Sequence, residues 1–197
     1  MSAMFANCYA LKNVDVSSFD TSSVGDMNSI FYNCSSLTSL DFSGLDFHTM
    51  SVIGEIFNGA SNLLSVNLSK TKFSSVTTLY GLLGGASAVK TLNLSGADFS
   101  SVTDISSDFA VGNTALESIN LSGVNFSSLT KAQAMFNSCS VLETVDFRGI
   151  DTSKLTNSSS VFNNVNGAKI YVSSNTDKTN IENMLTASSA SANVLVK

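Results

Sequence analysis

One histidine, three cysteines and a scatter of carboxylates are the residues of this 197-residue chain with chemistry to offer. His48 stands two residues after Asp46, but general acid–base catalysis needs a nucleophile or reacting group within reach of the imidazole. No serine, cysteine or carboxylate cluster surrounds His48 in sequence, so it reads as an exposed loop residue. Cys8 and Cys34 lie one 26-residue period apart, and Cys139 falls in the same repeated column. A disulfide needs Cα atoms within about 7 Å, whereas packed helical arms sit about 8–10 Å apart. Ala60 and Ala86 take the same column in other copies, which fits small buried side chains and free thiols. Asp15 and Asp41, also one period apart, raise the alternative of a bridging calcium ion. Uncharged Asn67, Asn93 and Asn120 continue their column, which limits repulsion without a cation. No catalytic residue, cofactor site or metal site is assigned.

The elements that place these residues are set by an internal repeat, the first feature to establish in any chain. Equivalent units begin at Met1, Met27, Ile53, Leu79, Ile105, Ala132 and Ser158, spaced by 26 residues with a single interval of 27. The extra residue is expected between Phe109 and Leu116. One apolar column runs Phe5, Phe31, Phe57, Leu83, Phe109, Phe136, Phe162. Others run from Val14 to Ile170, from Val16 to Val172, and from Val24 to Leu155. A unit this short cannot bury its own apolar face, so neighbours must stack and share one core. Met27, Ile30, Phe31 and Cys34 follow i, i+3, i+4, i+7 and predict a short helix or 3-10 turn. Leu40-Asp41-Phe42-Ser43 alternates and predicts a short strand. The fold is therefore read as an α/β leucine-rich repeat solenoid. It has about seven 26-residue units with short parallel strands and short helices or 3-10 turns.

Stacked strands turn three polar columns outward. The middle one is Asp15, Asp41, Asn67, Asn93, Asn120, Asp146, flanked on one side by Asn13, Ser39, Ser65, Thr91, Ser118 and Thr144. On the other side run Ser17, Ser43, Ser69, Ser95, Ser122 and Arg148. Solenoids use such a face as a ligand platform. The candidate partner-binding residues are Asp15, Asp41, Asn67, Asn93, Asn120, Asp146, Arg148 and Tyr171. The competing reading is a solvated sheet whose Asp and Asn serve repeat geometry alone. Apart from Arg148 and Tyr171 the face lacks the residues that usually carry binding energy.

Composition narrows the function classes. The chain is 43% apolar, has no proline or tryptophan, and carries 37 serines. Its 13 phenylalanines argue against disorder. Ten Lys and Arg against 15 Asp and Glu leave a net charge of −5. That balance argues against nucleic acid and anionic membranes as partners. No apolar stretch approaches the roughly 18 residues of a membrane-crossing helix.

The repeat, roughly M-x-x-M-F-x-x-C-x-x-L-x-x-L-D/N-L-S followed by F-D-T-S-x-V, resembles the BspA-like leucine-rich repeats of bacterial surface proteins. It is most similar to the serine-rich repeats of lactobacilli and mycoplasmas. Met1–Val24 and residues 27–52 carry the pattern most fully, and the resemblance extends over residues 1–173. It implies a cell-surface or secreted location and a role in adhesion or in binding a protein or glycan on a host or neighbouring cell. It transfers no catalytic or ligand-binding residue. The expected function is non-enzymatic recognition by a monomeric module of a longer protein. The alternatives are a structural spacer in a larger surface protein and the receptor-binding part of a phage or virion fibre.

Two further expectations concern the ends and one anomaly. Met1 aligns with Met27, inside the repeat, so additional repeats or a cap are expected before it, and Met4, Phe5 and Leu11 should lie open. Residues 174–197 break the period and predict a cap. It consists of a helix started by Thr176 or Asp177 and running through Ile181, Met184 and Leu185, then a strand over Asn193–Lys197. Asp108 falls in a column otherwise apolar. Since burying an unpaired carboxylate costs several kcal/mol, a local bulge should turn it outward. The N-x-S triplets at Asn67, Asn93 and Asn120 recur because the repeat recurs, and are expected to be unmodified.

Overall fold

The computed structural model describes residues 1–106 and 109–197 of the chain. Each unit forms one coil of a solenoid. The described strands are β1 (Ser39–Asp41), β2 (Val52–Gly54), β3 (Ser65–Asn67), β4 (Thr78–Tyr80), β5 (Thr91–Asn93), β6 (Ser118–Asn120), β7 (Thr144–Asp146), β8 (Asn166–Val172) and β9 (Ser191–Val196). The helix α1 (Asn175–Ala187) lies between the last two strands. One parallel sheet runs β1-β3-β5-β6-β7-β8-β9. Its register repeats the sequence period: Leu40 faces Val66, Val66 faces Leu92, Leu92 faces Ile119, and Ile119 faces Val145.

The coils are laddered on more than one side. β2 pairs with β4, and single bridges continue that line from Asp104 to Lys131 and Asn157. Another line of bridges joins Asp46, Lys72, Asp98 and Asn125. Backbone hydrogen bonds also cross between the arms, as from the Phe31 N–H to the Ile56 carbonyl at 3.1 Å. Main-chain groups are thereby paired coil to coil, which satisfies the donors and acceptors a compact fold must not leave buried and alone.

The arm read as a helix or 3-10 turn is a chain of i→i+3 turns. Ile30 donates to Met27, Tyr32 to Ser29 and Cys34 to Phe31. Positive φ at Ser29 (56°) and Asn33 (57°) breaks any continuous helix. The same two positions are left-handed at Ala3 and Asn7, at Glu55 and Gly59, and at Ala134 and Ser138. Met27, Ile30, Phe31 and Cys34 still point inward and are buried, because two tight turns bring them to the same side.

The core is one continuous cluster from Val16 to Val194. Phe31, Phe57, Phe136 and Phe162 are fully buried. The first coil differs: Phe5 and Leu11 are only half-buried, and Met4 is 56% exposed. No strand forms over residues 11–16. At the other end Ser174, rather than Thr176 or Asp177, caps α1: its Oγ accepts from the Asp177 N–H. Ile181, Met184 and Leu185 form the buried side of α1, and β9 adds to β8 in parallel. Val194 is buried while Val196 is 43% exposed at the sheet's edge.

The fifth coil corrects the alignment. Ile105 donates to the Lys131 carbonyl and so matches Ala132, but Ala110 donates to the Met135 carbonyl and matches Phe136. The additional residue therefore lies between Ile105 and Ala110, not between Phe109 and Leu116. Ala110 takes the phenylalanine slot, and buried Phe109 moves to the neighbouring column of Ile30, Ile56 and Met135. Asp108 lies outside the described residues, so its expected bulge does too. The slot it was assigned belongs to Phe109.

Candidate functional site: the polar sheet face

Three-residue strands with one inward residue leave two outward ones. Leu40 is buried between exposed Ser39 and Asp41, and the pattern repeats along the sheet. Asp41, Asn67, Asn93, Asn120, Asp146 and Tyr171 align rung by rung. The structure thus brings six of the eight candidate residues into one row, with Arg148 beside Asp146. Asp15 lies in the first coil, where no strand forms.

Each Asp and Asn of the row ends its strand in an Asx turn, and Asp15 makes the same turn in the first coil. The Oδ1 atom accepts from the backbone N–H two residues later: Asp15 from Ser17 (2.9 Å), Asp41 from Ser43 (2.8 Å), Asn67 from Ser69 (3.1 Å) and Asn93 from Ser95 (3.1 Å). Asn120 does so with Ser122 (2.9 Å), and Asp146 with Arg148 (3.1 Å). The side chain closes the turn while its own carbonyl accepts the preceding coil's N–H, as from Phe42 to Asn67 at 2.8 Å. Asp and Asn are favoured for this local reason, which is the repeat geometry that the competing reading of the face invokes. Two further columns repeat the device at other corners. Asp20, Asp98, Asn125 and Asp151 form one, and Asp26, Asp104 and Asn157 the other.

Local electrostatics follow from these bonds. Ser17 hydroxyl and backbone donors lower the Asp15 pKa. For Asp146, burial pushes the carboxyl upward, but the Arg148 side chain, the Arg148 N–H and the charges of Arg148 and Lys197 outweigh it and leave it lowered. Arg148 holds both oxygens, Nε to Oδ1 at 2.9 Å and an Nη to Oδ2 at 2.6 Å. The Lys197 ammonium lies 4.2 Å from the Tyr171 ring centroid. Between these rungs sits a depression of about 380 Å³, bounded by Asn93, Asn120, Thr144, Asp146 and Tyr171.

The other candidate chemistry is dispersed. His48 is exposed, and its Nδ1 lies 2.7 Å from Asp46. The His48 hydrogen bond first, and Lys72 second, hold the Asp46 carboxyl down at about 2. Cys34 and Cys139 are buried thiols whose Sγ atoms donate to the carbonyls of Phe5 (3.1 Å) and Ala110 (3.0 Å) in the preceding coil. Burial pushes the Cys139 thiol up to about 12. Cys8, expected to be buried, is exposed. In the fifth coil the same column holds buried Asn113, where the two coils before it have Ala60 and Ala86. A groove of about 550 Å³ between α1 and the 3-10 turn Thr152–Lys154 is larger than the sheet depression. Its polar groups largely serve the cap: Thr152 donates to Asp177 at 2.7 Å and Asn180 donates to Thr152 at 3.0 Å. Among the described residues no three His, Cys, Asp or Glu side chains converge as a ligand set. No described helix is long and apolar enough to cross a membrane.

The sequence matches the family described as Mycoplasma protein of unknown function, DUF285, over residues 1–95 and again over 77–195. The chain belongs to that family. DUF285 is a bacterial repeat family, and the overlapping matches cover nearly the whole solenoid and its cap. No curated protein matches this DUF285 chain.

Proposed function

We propose that the chain is a non-enzymatic recognition module, displayed at a bacterial cell surface or secreted, whose polar sheet face binds a protein or glycan on a host or neighbouring cell. The observation that carries this reading is the row from Asp41 to Tyr171. Outward polar side chains are held in register by a parallel ladder, and the Asp and Asn among them are held by their own turns. Binding groups fixed before contact lose little entropy on association. The BspA-like resemblance of the repeat supports the location and the adhesive role. Purified chain is tested for saturable binding to host matrix proteins, glycans and whole cells. A variant with Thr91, Asn93, Asn120 and Tyr171 replaced by alanine is run beside it. Saturable binding lost in the variant is the expected result. Binding by neither, or equal binding by both, overturns the reading.

A second reading, a stiff spacer within a larger surface protein, is favoured by one observation. Every Asp and Asn of the row already has its Oδ1 engaged by its own backbone, so turn geometry alone accounts for these residue types. Face substitutions that leave adhesion of the parent protein intact while shortening the array abolishes it would select the spacer.

A further inference from the structure

Resting on the recognition reading, we propose that the depression bounded by Asn93, Asn120, Thr144 and Tyr171 binds a carboxylate-bearing saccharide, with Lys169 and Lys197 supplying the opposite charge. The argument begins with amide orientation. The backbone N–H groups of Ser95 and Ser122 need acceptors, and Oδ1 of Asn93 and Asn120 provides them. Each amide is thereby locked with its oxygen inward and its Nδ2 outward, since an amide has one acceptor end and one donor end. Neither Nδ2 group donates to any described residue. The depression therefore offers N–H donors in successive rungs, about 4.8 Å apart, with the Thr144 hydroxyl beside them.

Charge is graded along the same face. In the first coils Asp15 and Asp41 also turn Oδ1 inward, so each presents a second carboxylate oxygen to solvent. Toward the cap the sign reverses. Asp146 is neutralised through both oxygens by Arg148. Lys169 stands in register with Thr144 on the adjoining strand, and Lys197 lies over Tyr171. Neither lysine has a carboxylate within ion-pair distance among the described residues. Glu143, just before β7, lines the neighbouring depression with Lys169 and opposes an anion there. An acceptor-rich anion is thus drawn to the cap-proximal half and repelled from the other, although the whole chain carries a net charge of −5.

The shape selects a saccharide over a peptide. The depression lies on the face of the sheet, so its main-chain donors are spent in the ladder and cannot pair an added strand. Single donors on a flat grid suit a ring bearing hydroxyls and one carboxylate.

Methyl glucuronide and methyl glucoside, identical but for carboxylate against hydroxymethyl, are titrated into the full chain and read by amide NMR. The glucuronide alone is expected to shift the Asn93 and Asn120 side-chain amides and the backbone of residues 144 and 169–171. The K169E/K197E variant should weaken that binding at least tenfold, and E143Q should strengthen it, with amide spectra otherwise unchanged. Equal response to both sugars, shifts confined to the Asp15–Asp41 half, or shifts produced by hexaglutamate but not by the glucuronide each overturn the assignment. Any of these results leaves the wider recognition reading to stand or fall on the adhesion assay.

Discussion

The ring of Phe47 lies on the ring of Phe73, centroids 5.2 Å apart and planes within 5° of parallel. Phe99 and Phe126 extend the stack at 5.0 and 5.2 Å. Buried Thr21 and Thr152 occupy the equivalent slots at its ends, their hydroxyls donating to the Asp46 carbonyl and to Asp177. Aromatic side chains thus bind coil to coil through ring contact in addition to area burial. Truncating a ring in mid-stack removes contacts on two sides. Phe73→Ala is expected to cost about 3–5 kcal/mol of unfolding free energy. Phe5→Ala, at a half-buried ring stacked only on Phe31, should cost distinctly less. Urea unfolding of both variants gives the comparison, and equal losses would contradict the stacked-coil account.

Gly85 and Gly112 occupy the same left-handed position of the arm, with φ of +73° and +74°. They differ in space. A Cβ at Gly85 would lie 2.9 Å from the Gly59 nitrogen and 2.7 Å from Asn58 Oδ1, whereas none at Gly112 would meet anything within 4 Å. Alanine at either position carries the left-handed penalty of about 1–2 kcal/mol. Gly85→Ala must in addition push the adjoining coil away. Its melting temperature should fall well below that of Gly112→Ala, and the reverse order would show that the arms are not in contact there.

Acid should loosen the corners that Asp closes and spare those that Asn closes. Asp15, Asp20 and Asp41 all titrate below the ordinary value of 3.8, and Asp46 at about 2. A carboxylate with a lowered folded pKa stabilises fully above its unfolded value. It loses that contribution as pH falls through the folded one, because the unfolded chain takes up the proton first. Stability is therefore expected to drop between about pH 4 and about pH 2. The triple variant D15N/D20N/D41N keeps the turns and loses the titration. Its denaturation midpoint should change less over this window than that of the parent.

Thiol accessibility separates the three cysteines. One equivalent of maleimide should react with the folded chain, at exposed Cys8, while Cys34 and Cys139 react only after unfolding. Rapid labelling of Cys139 in the folded state would mean that the coil contact through the Ala110 carbonyl is not formed.

Much of this architecture was legible in the residues. The period, the phenylalanine columns and the outward row from Asp41 to Asp146 follow from apolar spacing, which stacking must satisfy. The turn geometry of the arms was not read, although Asn7, Asn33, Gly59 and Gly85 recur at one position and are the residue types that accept positive φ. The inward spacing of Met27, Ile30, Phe31 and Cys34 suits a helix equally well, so apolar pattern alone did not decide. The fifth coil misled because Phe109 and Ala110 are adjacent apolar residues. Side-chain likeness put Phe109 in the aromatic slot, while backbone pairing put Ala110 there. The fixed polarity of Asn93 and Asn120 needed coordinates, since an amide's direction depends on which backbone group it meets.

Spin-label distances along the sheet test the central claim most directly. Nitroxides at Ser39 paired with Thr144, Lys169 or Asn193 lie four, five and six rungs apart in the observed register. Stacked coils predict distances near 19, 24 and 29 Å, rising by about 4.8 Å per rung. Distances that fail to grow with rung number would contradict the solenoid and, with it, the continuous face on which the proposed recognition rests.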